Sequence, residues 1–246
     1  TSGTTGIPKG AMLSHKNLVA NTTEFTSVVK TYSTDSALCV LPMYHCFAWT
    51  VAVLTPLVNG CSIKILESFS IRETITAIRN NKLNIIIGIP TMFRLFVQWA
   101  VKEDFAAVKL FISGGSSLPQ EISEQFTQKI GKQIVEGYGL SEASPVVALN
   151  PIEKIKYCSV GKPLPGVEIR VIDSQGADLP TGEIGELLVR GPNVMQGYYR
   201  LPEESASALQ HGWLYTGDVA YIDQEGYIFI VDRLKDMIIT SGENIY

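Results

Sequence analysis

Short apolar runs alternate with segments of helical periodicity over about the first 140 residues. The run 85–87 consists only of isoleucine and ends at Gly88, whereas 71–80 has apolar residues at positions 71, 75 and 78, the spacing of one helix face. Strands that are apolar throughout and separated by helices are typical of β-α-β units. The pattern predicts an α/β fold in which helices flank a parallel sheet. The predicted strands are 37–41, 62–66, 85–87, 109–113 and 134–135, and the predicted helices follow Ser14 and Pro90 and cover 49–57, 71–80 and 119–130.

The pattern changes after residue 158. Positions 167–172 and 184–190 alternate between apolar and polar residues, and 226–231 does the same. Such alternation is typical of antiparallel strands with one solvent-exposed face. We therefore predict an α/β subdomain over 1–157 and a smaller antiparallel β subdomain, a barrel or sandwich, over 158–232.

Charge and cysteine content restrict the class of protein. The 20 Lys and Arg residues are outnumbered by 24 Asp and Glu residues, and no basic stripe indicates a nucleic-acid partner. No apolar run is long enough for an integral membrane segment. The four cysteines lack the spacing of metal ligands, so we expect them to be buried small hydrophobic residues in a reducing compartment. These features predict a cytoplasmic protein.

The first ten residues combine three glycines, three threonines, a serine and a lysine. Glycines let backbone N–H groups converge on an anion, hydroxyls add donors, and a lysine adds a mobile positive charge. The order of residues is not that of a P-loop, and a plain surface turn is the alternative interpretation. We predict a phosphate-binding loop formed by Thr1, Ser2, Gly3, Thr4, Thr5, Gly6 and Lys9.

Four further motifs follow in order. They are Ser113-Gly114-Gly115-Ser116-Ser117-Leu118-Pro119, Gly137-Tyr138-Gly139-Leu140-Ser141-Glu142, Trp213-Leu214-Tyr215-Thr216-Gly217-Asp218, and Asp232-Arg233-Leu234-Lys235-Asp236 with Ser241-Gly242-Glu243-Asn244. Together with the first loop they resemble the adenylate-forming superfamily, which includes acyl-CoA synthetases, luciferases and peptide-synthetase adenylation domains. The resemblance covers almost the whole chain, although each motif alone is more typical of an ordinary turn.

The resemblance implies a site for ATP. In it Tyr138 stacks on adenine, Ser141 reaches the α-phosphate, and Glu142 holds Mg²⁺ together with Thr1. The family commonly has threonine where Ser141 stands, and serine keeps the hydroxyl. The remaining implied nucleotide contacts are the adenine-bordering Gly114, Gly115 and Ser116, the backbone of Gly137 and Gly139, and the ribose-binding Asp218 and Arg233.

The resemblance also implies a site for a carboxylic acid. His45 corresponds to a gating histidine, and Phe47, Trp49 and Gly139 border the acyl group. Amino-acid-activating relatives carry an acid shortly after this point, but this chain has Cys46-Phe47-Ala48-Trp49. An apolar pocket does not stabilise a buried ammonium but favours a hydrocarbon tail. A fatty acid is therefore expected, and aryl acids stay possible.

The implied reaction forms an acyl-adenylate and then an acyl-CoA, with Lys9, Glu142 and His45 as the catalytic residues. No protein nucleophile is needed, so His15 and His211 are expected at the surface. Lys235 falls at the hinge and Gly242 at the CoA tunnel, which makes 233–246 the start of a C-terminal domain. The family's portions before Thr1 and after Tyr246 are expected to be missing.

Two other functions stay open. One is an acyl-AMP ligase that passes its product to a carrier protein, and the other is an inactive, truncated nucleotide-binding fragment. The family's adenylation lysine lies beyond Tyr246, so the 246-residue chain alone is not expected to complete acyl-CoA synthesis. Apolar surface and a strand edge left uncovered also predict association into a homo-oligomer.

Overall fold

The computed structural model describes residues 8–233, 238–240 and 243–245, and its larger sheet has seven strands. The strand order is β2-β1-β3-β4-β5-β6-β7. The first five positions pair in parallel, whereas the last two strands add antiparallel. The strands are β1 Ser36–Cys39, β2 Ser62–Ile65, β3 Ile85–Gly88, β4 Leu110–Ser113, β5 Ile134–Gly139, β6 Val146–Leu149 and β7 Lys162–Pro163.

The helices begin where the sequence supplies caps and periodicity. Ser14 caps the first helix, because its Oγ accepts the Asn17 N–H at 3.2 Å and its own N–H donates to the Asn17 side chain at 2.9 Å. Among the helices of the described residues, none combines the length and apolarity that a membrane span requires. The α-helices are α1 His15–Val29, α2 Thr55–Val58, α3 Ile71–Asn80, α4 Pro90–Trp99, α5 Gln120–Ile130 and α6 Pro202–Ala208.

One predicted helix has a different winding. The segment Ala48–Leu54 is a π-helix that runs into α2, so the helix predicted over 49–57 is present, and its first part has π-helical winding. The Thr55 N–H donates to the Thr50 carbonyl five residues earlier. The Thr50 hydroxyl donates to the Ser144 carbonyl oxygen at 2.9 Å, which ties the wider turn to the loop after β5.

The smaller sheet is antiparallel and has five strands. Its order is β10-β11-β9-β8, with β12 paired to β11. The predicted fold class is thus confirmed, although β6 and β7 extend the larger sheet in a way that the sequence pattern did not indicate. The subdomain boundary at 157/158 stays a prediction. The strands are β8 Glu168–Ile172, β9 Gly185–Arg190, β10 Leu209–Gln210, β11 Trp213–Ile222 and β12 Ile228–Arg233, and β13 Ile238–Thr240 pairs separately with β14 Glu243–Ile245.

Both sheets contribute to one hydrophobic core. Val147 of β6 belongs to the same buried cluster as Leu187 and Val189 of β9. A second cluster lies against the other face of the larger sheet and contains the mutually packed rings of Phe93, Phe96, Phe105, Phe111 and Phe126. Edge-to-face aromatic packing of this kind fixes α4 and α5 on the strands that lead toward the glycine turns.

The cysteines are less uniformly buried than predicted. Cys39 and Cys61 are buried, and Cys46 is half-buried. Cys158 is exposed, so the expectation is wrong at this position. It sits in a turn with φ 62°, where its Sγ lies 3.3 Å from the Gln120 Oε1 atom at the surface. His15 and His211 are exposed, as expected.

A buried carboxyl group supports the turn that follows β4. Glu136 of β5 is 7% exposed, and its Oε1 accepts the Leu118 N–H at 2.8 Å. Burial raises the pKa of Glu136 to about 7, against the opposing effect of the Leu118 hydrogen bond. This contact joins the Gly114–Gly115 turn to the strand that carries Tyr138.

The raised pKa predicts a pH-dependent stability. Ionisation is disfavoured in the folded state, so stability is highest below the unfolded pKa and falls as pH rises from about 4.5 through 7. Between pH 5 and 8 we expect the unfolding free energy of the wild type to fall by on the order of 2–3 kcal/mol more than that of Glu136→Gln. Urea unfolding at several pH values measures this decrease, and the exposed Glu121→Gln on α5 is the control. Equal pH slopes in wild type and Glu136→Gln would contradict the prediction.

Candidate functional site

The predicted site residues divide into those that the structure describes and those that lie outside it. Thr1, Ser2, Gly3, Thr4, Thr5 and Gly6 lie outside the described residues, as do Lys235 and Gly242. Lys9 and the remaining predicted residues are described. The phosphate loop and the hinge therefore stay predictions, and the site is built from the rest.

Three predicted nucleotide residues meet where the two sheets approach each other. Asp218 of β11 lies opposite Arg233 of β12, and the Arg233 Nε is 3.3 Å from the Asp218 Oδ1. The Tyr138 hydroxyl, from the end of β5, donates a hydrogen bond to the Asp218 Oδ2. Residues from three separate motifs thus form one cluster.

The Asp218 carboxylate is held in a nearly buried position. Asp218 is 6% exposed, and its N–H donates to the Thr216 Oγ1 at 3.1 Å. Burial raises the pKa of Tyr138 well above its ordinary value, and the neighbouring Asp218 carboxylate adds to the shift. The tyrosine therefore remains a neutral hydrogen-bond donor at physiological pH.

Glu186 is a neighbour of this cluster that lies in none of the sequence motifs. Its Oε1 accepts the Gly217 N–H at 3.1 Å, and burial raises its pKa, with the Asp218 charge adding to the effect. Glu186 lies on β9, far from the Asp218 motif in sequence, and only the pairing of β9 with β11 brings the two together.

A second cluster surrounds Glu142. This residue is 8% exposed, and its Oε1 accepts a hydrogen bond from the Tyr198 hydroxyl at 2.7 Å. The Lys9 Nζ lies 5.3 Å from the centre of the Tyr198 ring. Nothing in the sequence marks Tyr198 as a site residue, because neither its spacing nor its type distinguishes it from the adjacent Tyr199.

The predicted acyl segment lies beside the glycine turn. A Cβ on Gly114 would come within 2.9 Å of the Phe47 ring, so the absence of a side chain there lets the ring approach the turn. The Phe47 N–H donates to the His45 Nδ1 at 3.3 Å. Between these two residues lies Cys46, whose Sγ is 3.2 Å from the Ser141 Oγ. His45, Phe47 and Ser141 are therefore brought to one region.

Trp49 and Gly139 occupy contrasting environments. Trp49, on the π-helical segment, is 41% exposed, which is unusual for so large an apolar side chain. A Cβ on Gly139 would lie 2.1 Å from the Pro145 carbonyl oxygen, so only glycine fits between these two backbone segments. Gly115 has φ 84°, and the adjacent Ser116 is exposed on the same turn.

The carboxylates fit a magnesium–phosphate site better than an all-protein metal site. Within residues 8–233 and the two described terminal strands, no three or more His, Cys, Asp and Glu side chains come together as a metal site. Mg²⁺ characteristically binds one or two carboxylates and takes its other ligands from phosphates and water. The single carboxylate of Glu142, which accepts a hydrogen bond from Tyr198, fits that role.

Solved structures with the same fold include nucleotide complexes. ATP-bound MatB from Rhodopseudomonas palustris superposes with a TM-score of 0.95 at 36% identity, and the match covers 100% of this chain and 49% of that chain. O-succinylbenzoate coenzyme A synthetase (MenE) from Bacillus subtilis, in complex with ATP and magnesium ion, gives a TM-score of 0.93 at 29% identity, with 100% and 51% covered.

Sequence relatives agree with this likeness. A long-chain-fatty-acid–CoA ligase from Haemophilus influenzae is 38% identical over 255 residues, and a feruloyl-CoA synthase from an Amycolatopsis species is 36% identical over 251 residues. Each match covers 100% of this chain but only 45% and 51% of the respective relative, so the chain spans about half of their length. The family described as AMP-binding enzyme matches residues 1–199. The chain therefore belongs to the AMP-binding enzyme family.

Proposed function

We propose that the protein activates a carboxylic acid with ATP to an acyl-adenylate and then transfers the acyl group to CoA. The observation that carries the proposal is the cluster of Tyr138, Asp218 and Arg233, which combines an aromatic ring, a carboxylate and a guanidinium at the junction of the sheets. The ATP-bound structures with the same fold support a nucleotide as the ligand.

The cluster suits the sugar and base of a nucleotide. The two oxygens of the Asp218 carboxylate are acceptors that match the two hydroxyls of a ribose. The Arg233 side chain is 59% exposed, so its guanidinium can reach a ligand while its Nε stays near Asp218. The ring of Tyr138 supplies a flat surface for adenine.

The Glu142 cluster suits the phosphates. In the first step, an oxygen of the carboxylic acid attacks the α-phosphorus, the bond to the bridging oxygen breaks, and pyrophosphate leaves. Glu142 would hold Mg²⁺, which supplies positive charge to the phosphate oxygens. Lys9 adds a second positive charge, and Ser141 a hydroxyl donor, so the residues act by positioning and charge neutralisation.

The acid is expected to bind along the segment of His45, Phe47 and Trp49. Its apolar side chains offer no partner for an ammonium group, which disfavours amino acids. The relatives named above, a long-chain-fatty-acid–CoA ligase and a feruloyl-CoA synthase, support an alkyl or an aryl acid. We propose a fatty acid as the substrate, with the aryl acid as the alternative.

In the second step, the CoA thiolate attacks the carbonyl carbon and the bond to AMP breaks. CoA as the acceptor is supported by the names of the relatives. The hinge at Lys235 and the passage at Gly242 remain predictions, as do the cytoplasmic location and the association of copies.

The ribose assignment predicts a loss that depends on the sugar. We expect Asp218→Asn to weaken AMP binding by about tenfold or more, because a charge-assisted hydrogen bond is lost. Asp218→Asn should not weaken the binding of 2′,3′-dideoxy-AMP, because that nucleotide has no ribose hydroxyls to donate hydrogen bonds to Asp218. Calorimetric titration measures both ligands, with the exposed Asp178→Asn as the control. An equal loss for both nucleotides would contradict a ribose contact.

The proposed activity is tested by pyrophosphate exchange across a panel of acids. We expect exchange of labelled pyrophosphate into ATP with fatty acids of some range of chain lengths, weaker exchange with hydroxycinnamates, and none with amino acids. The assay uses the full natural protein. ATP binding without exchange for any acid would favour a nucleotide-binding role instead.

Trp49 is expected to limit the length of the acid. Removing the partly exposed ring in Trp49→Ala should shift the exchange optimum toward longer chains by several methylene groups, each worth about 0.8 kcal/mol when buried. The same acid panel measures the shift, and Trp99→Ala, which removes a tryptophan that is 69% exposed on α4, is the control. A uniform decrease for all acids would assign Trp49 to packing.

A further inference from the structure

The segment 195–201 pairs with both parts of the chain that are predicted to lie near the phosphates, namely the loop of Glu142 and the stretch that follows the phosphate loop. The Met195 N–H donates to the Glu142 carbonyl oxygen at 2.8 Å, and the Met12 N–H donates to the Gly197 carbonyl oxygen at 2.8 Å. One short segment therefore pairs both with the residue predicted to hold Mg²⁺ and with the chain that leaves the phosphate loop. Further bonds of this kind join Gln196 to Met12 (2.9 Å) and Tyr199 to Gly10 (2.7 Å).

Tyr198 is the residue of this segment whose side chain lies between the two charged groups. Its hydroxyl donates to the Glu142 Oε1 at 2.7 Å, while the Lys9 Nζ lies 5.3 Å from its ring centre. Its backbone N–H donates to the Ser205 Oγ at 2.7 Å, which fixes the base of the side chain on α6. A carboxylate and an ammonium of opposite charge thus contact different parts of one half-buried ring.

The hydrogen bond from the Tyr198 hydroxyl places a donor at the Glu142 Oε1 and so restricts the rotation of the carboxylate. The ring face is a favourable surface for the Lys9 ammonium, whose side chain otherwise has many rotamers.

We propose that Tyr198 is a positioning residue of the nucleotide site: its hydroxyl orients the Glu142 carboxylate, and its ring carries the Lys9 ammonium. The proposal rests on the proposed function, because it assigns Glu142 to Mg²⁺ and Lys9 to phosphate. Tyr198 acts through these two groups. The hydroxyl should therefore affect Mg²⁺ binding through Glu142, and the ring should affect phosphate binding through Lys9.

The test compares Tyr198→Phe with Tyr199→Phe in the complete protein. Tyr198→Phe removes only the hydroxyl, and we expect the half-saturating Mg²⁺ concentration in pyrophosphate exchange to rise about tenfold. Tyr199, which is 58% exposed, should give wild-type values when changed to Phe. Tyr198→Leu also removes the ring, and it should additionally weaken ATP binding in the presence of EDTA by roughly threefold.

Two comparisons separate positioning from a general loss of structure. Ser205→Ala removes the acceptor of the Tyr198 N–H but keeps the Tyr198 hydroxyl, so it should raise the half-saturating Mg²⁺ concentration less than Tyr198→Phe does. In a Glu142→Gln background, Tyr198→Phe should add no further loss, because its effect passes through the carboxylate. Thermal unfolding of every variant checks that it is folded.

The outcomes distinguish this proposal from the proposed function. Exchange that responds equally to Tyr198→Phe and Tyr199→Phe, or losses that add fully in the Glu142→Gln background, would overturn the positioning role. If the wild type exchanges with no acid, the proposed activity fails, and the same variants are compared by calorimetry of ATP binding with and without Mg²⁺. An unchanged effect of Mg²⁺ in Tyr198→Phe would then overturn the positioning role on its own.

Discussion

The hydrogen bond between Tyr138 and Asp218 is the contact on which the arrangement of the site depends. Its donor lies at the end of β5 in the larger sheet and its acceptor on β11 in the smaller one. A nearly buried carboxylate without partners would be costly, so the bond stabilises the approach of the two sheets as well as the rotamer of Asp218. In the shared core beneath, Val147 of the larger sheet packs in the same cluster as Leu187 of the smaller one, which holds the two sheets together.

Close backbone approach is the second constraint around the site. At Gly139 the chain passes so near the Pro145 carbonyl that a side chain has no space, and at Gly114 the Phe47 ring takes the space that a side chain would fill. Both glycines therefore matter because they have no side chain, which lets other atoms approach their backbone closely. The strand ends are brought within reach of the segment that is predicted to bind the acid, and the Ser141 Oγ lies 3.2 Å from the Cys46 Sγ of that segment.

The sequence predicts those parts of the molecule in which local pattern and burial agree. The isoleucine run at 85–87 and the periodicity of 71–80 each carry their own signal, and β3 and α3 form there. The strand β6 is also apolar, but its antiparallel pairing follows from the turn after β5 and not from its composition. Contacts such as Tyr198 with Glu142 join residues far apart in the chain, and no spacing rule contains them. The motifs could be recognised, whereas the groups that orient them could not.

The π-helical winding of Ala48–Leu54 determines the direction in which the Trp49 side chain leaves the helix. Each residue of an α-helix turns the chain by about 100°. Hydrogen bonds in a π-helix span five residues instead of four, so each hydrogen-bonded turn contains one more residue. Deletion of a single residue within this segment would restore α-helical spacing toward α2 while rotating Trp49 to another side of the helix. A change in chain length by one position, without any change in the sheets, would therefore redirect the side chain that is proposed to limit the length of the acid.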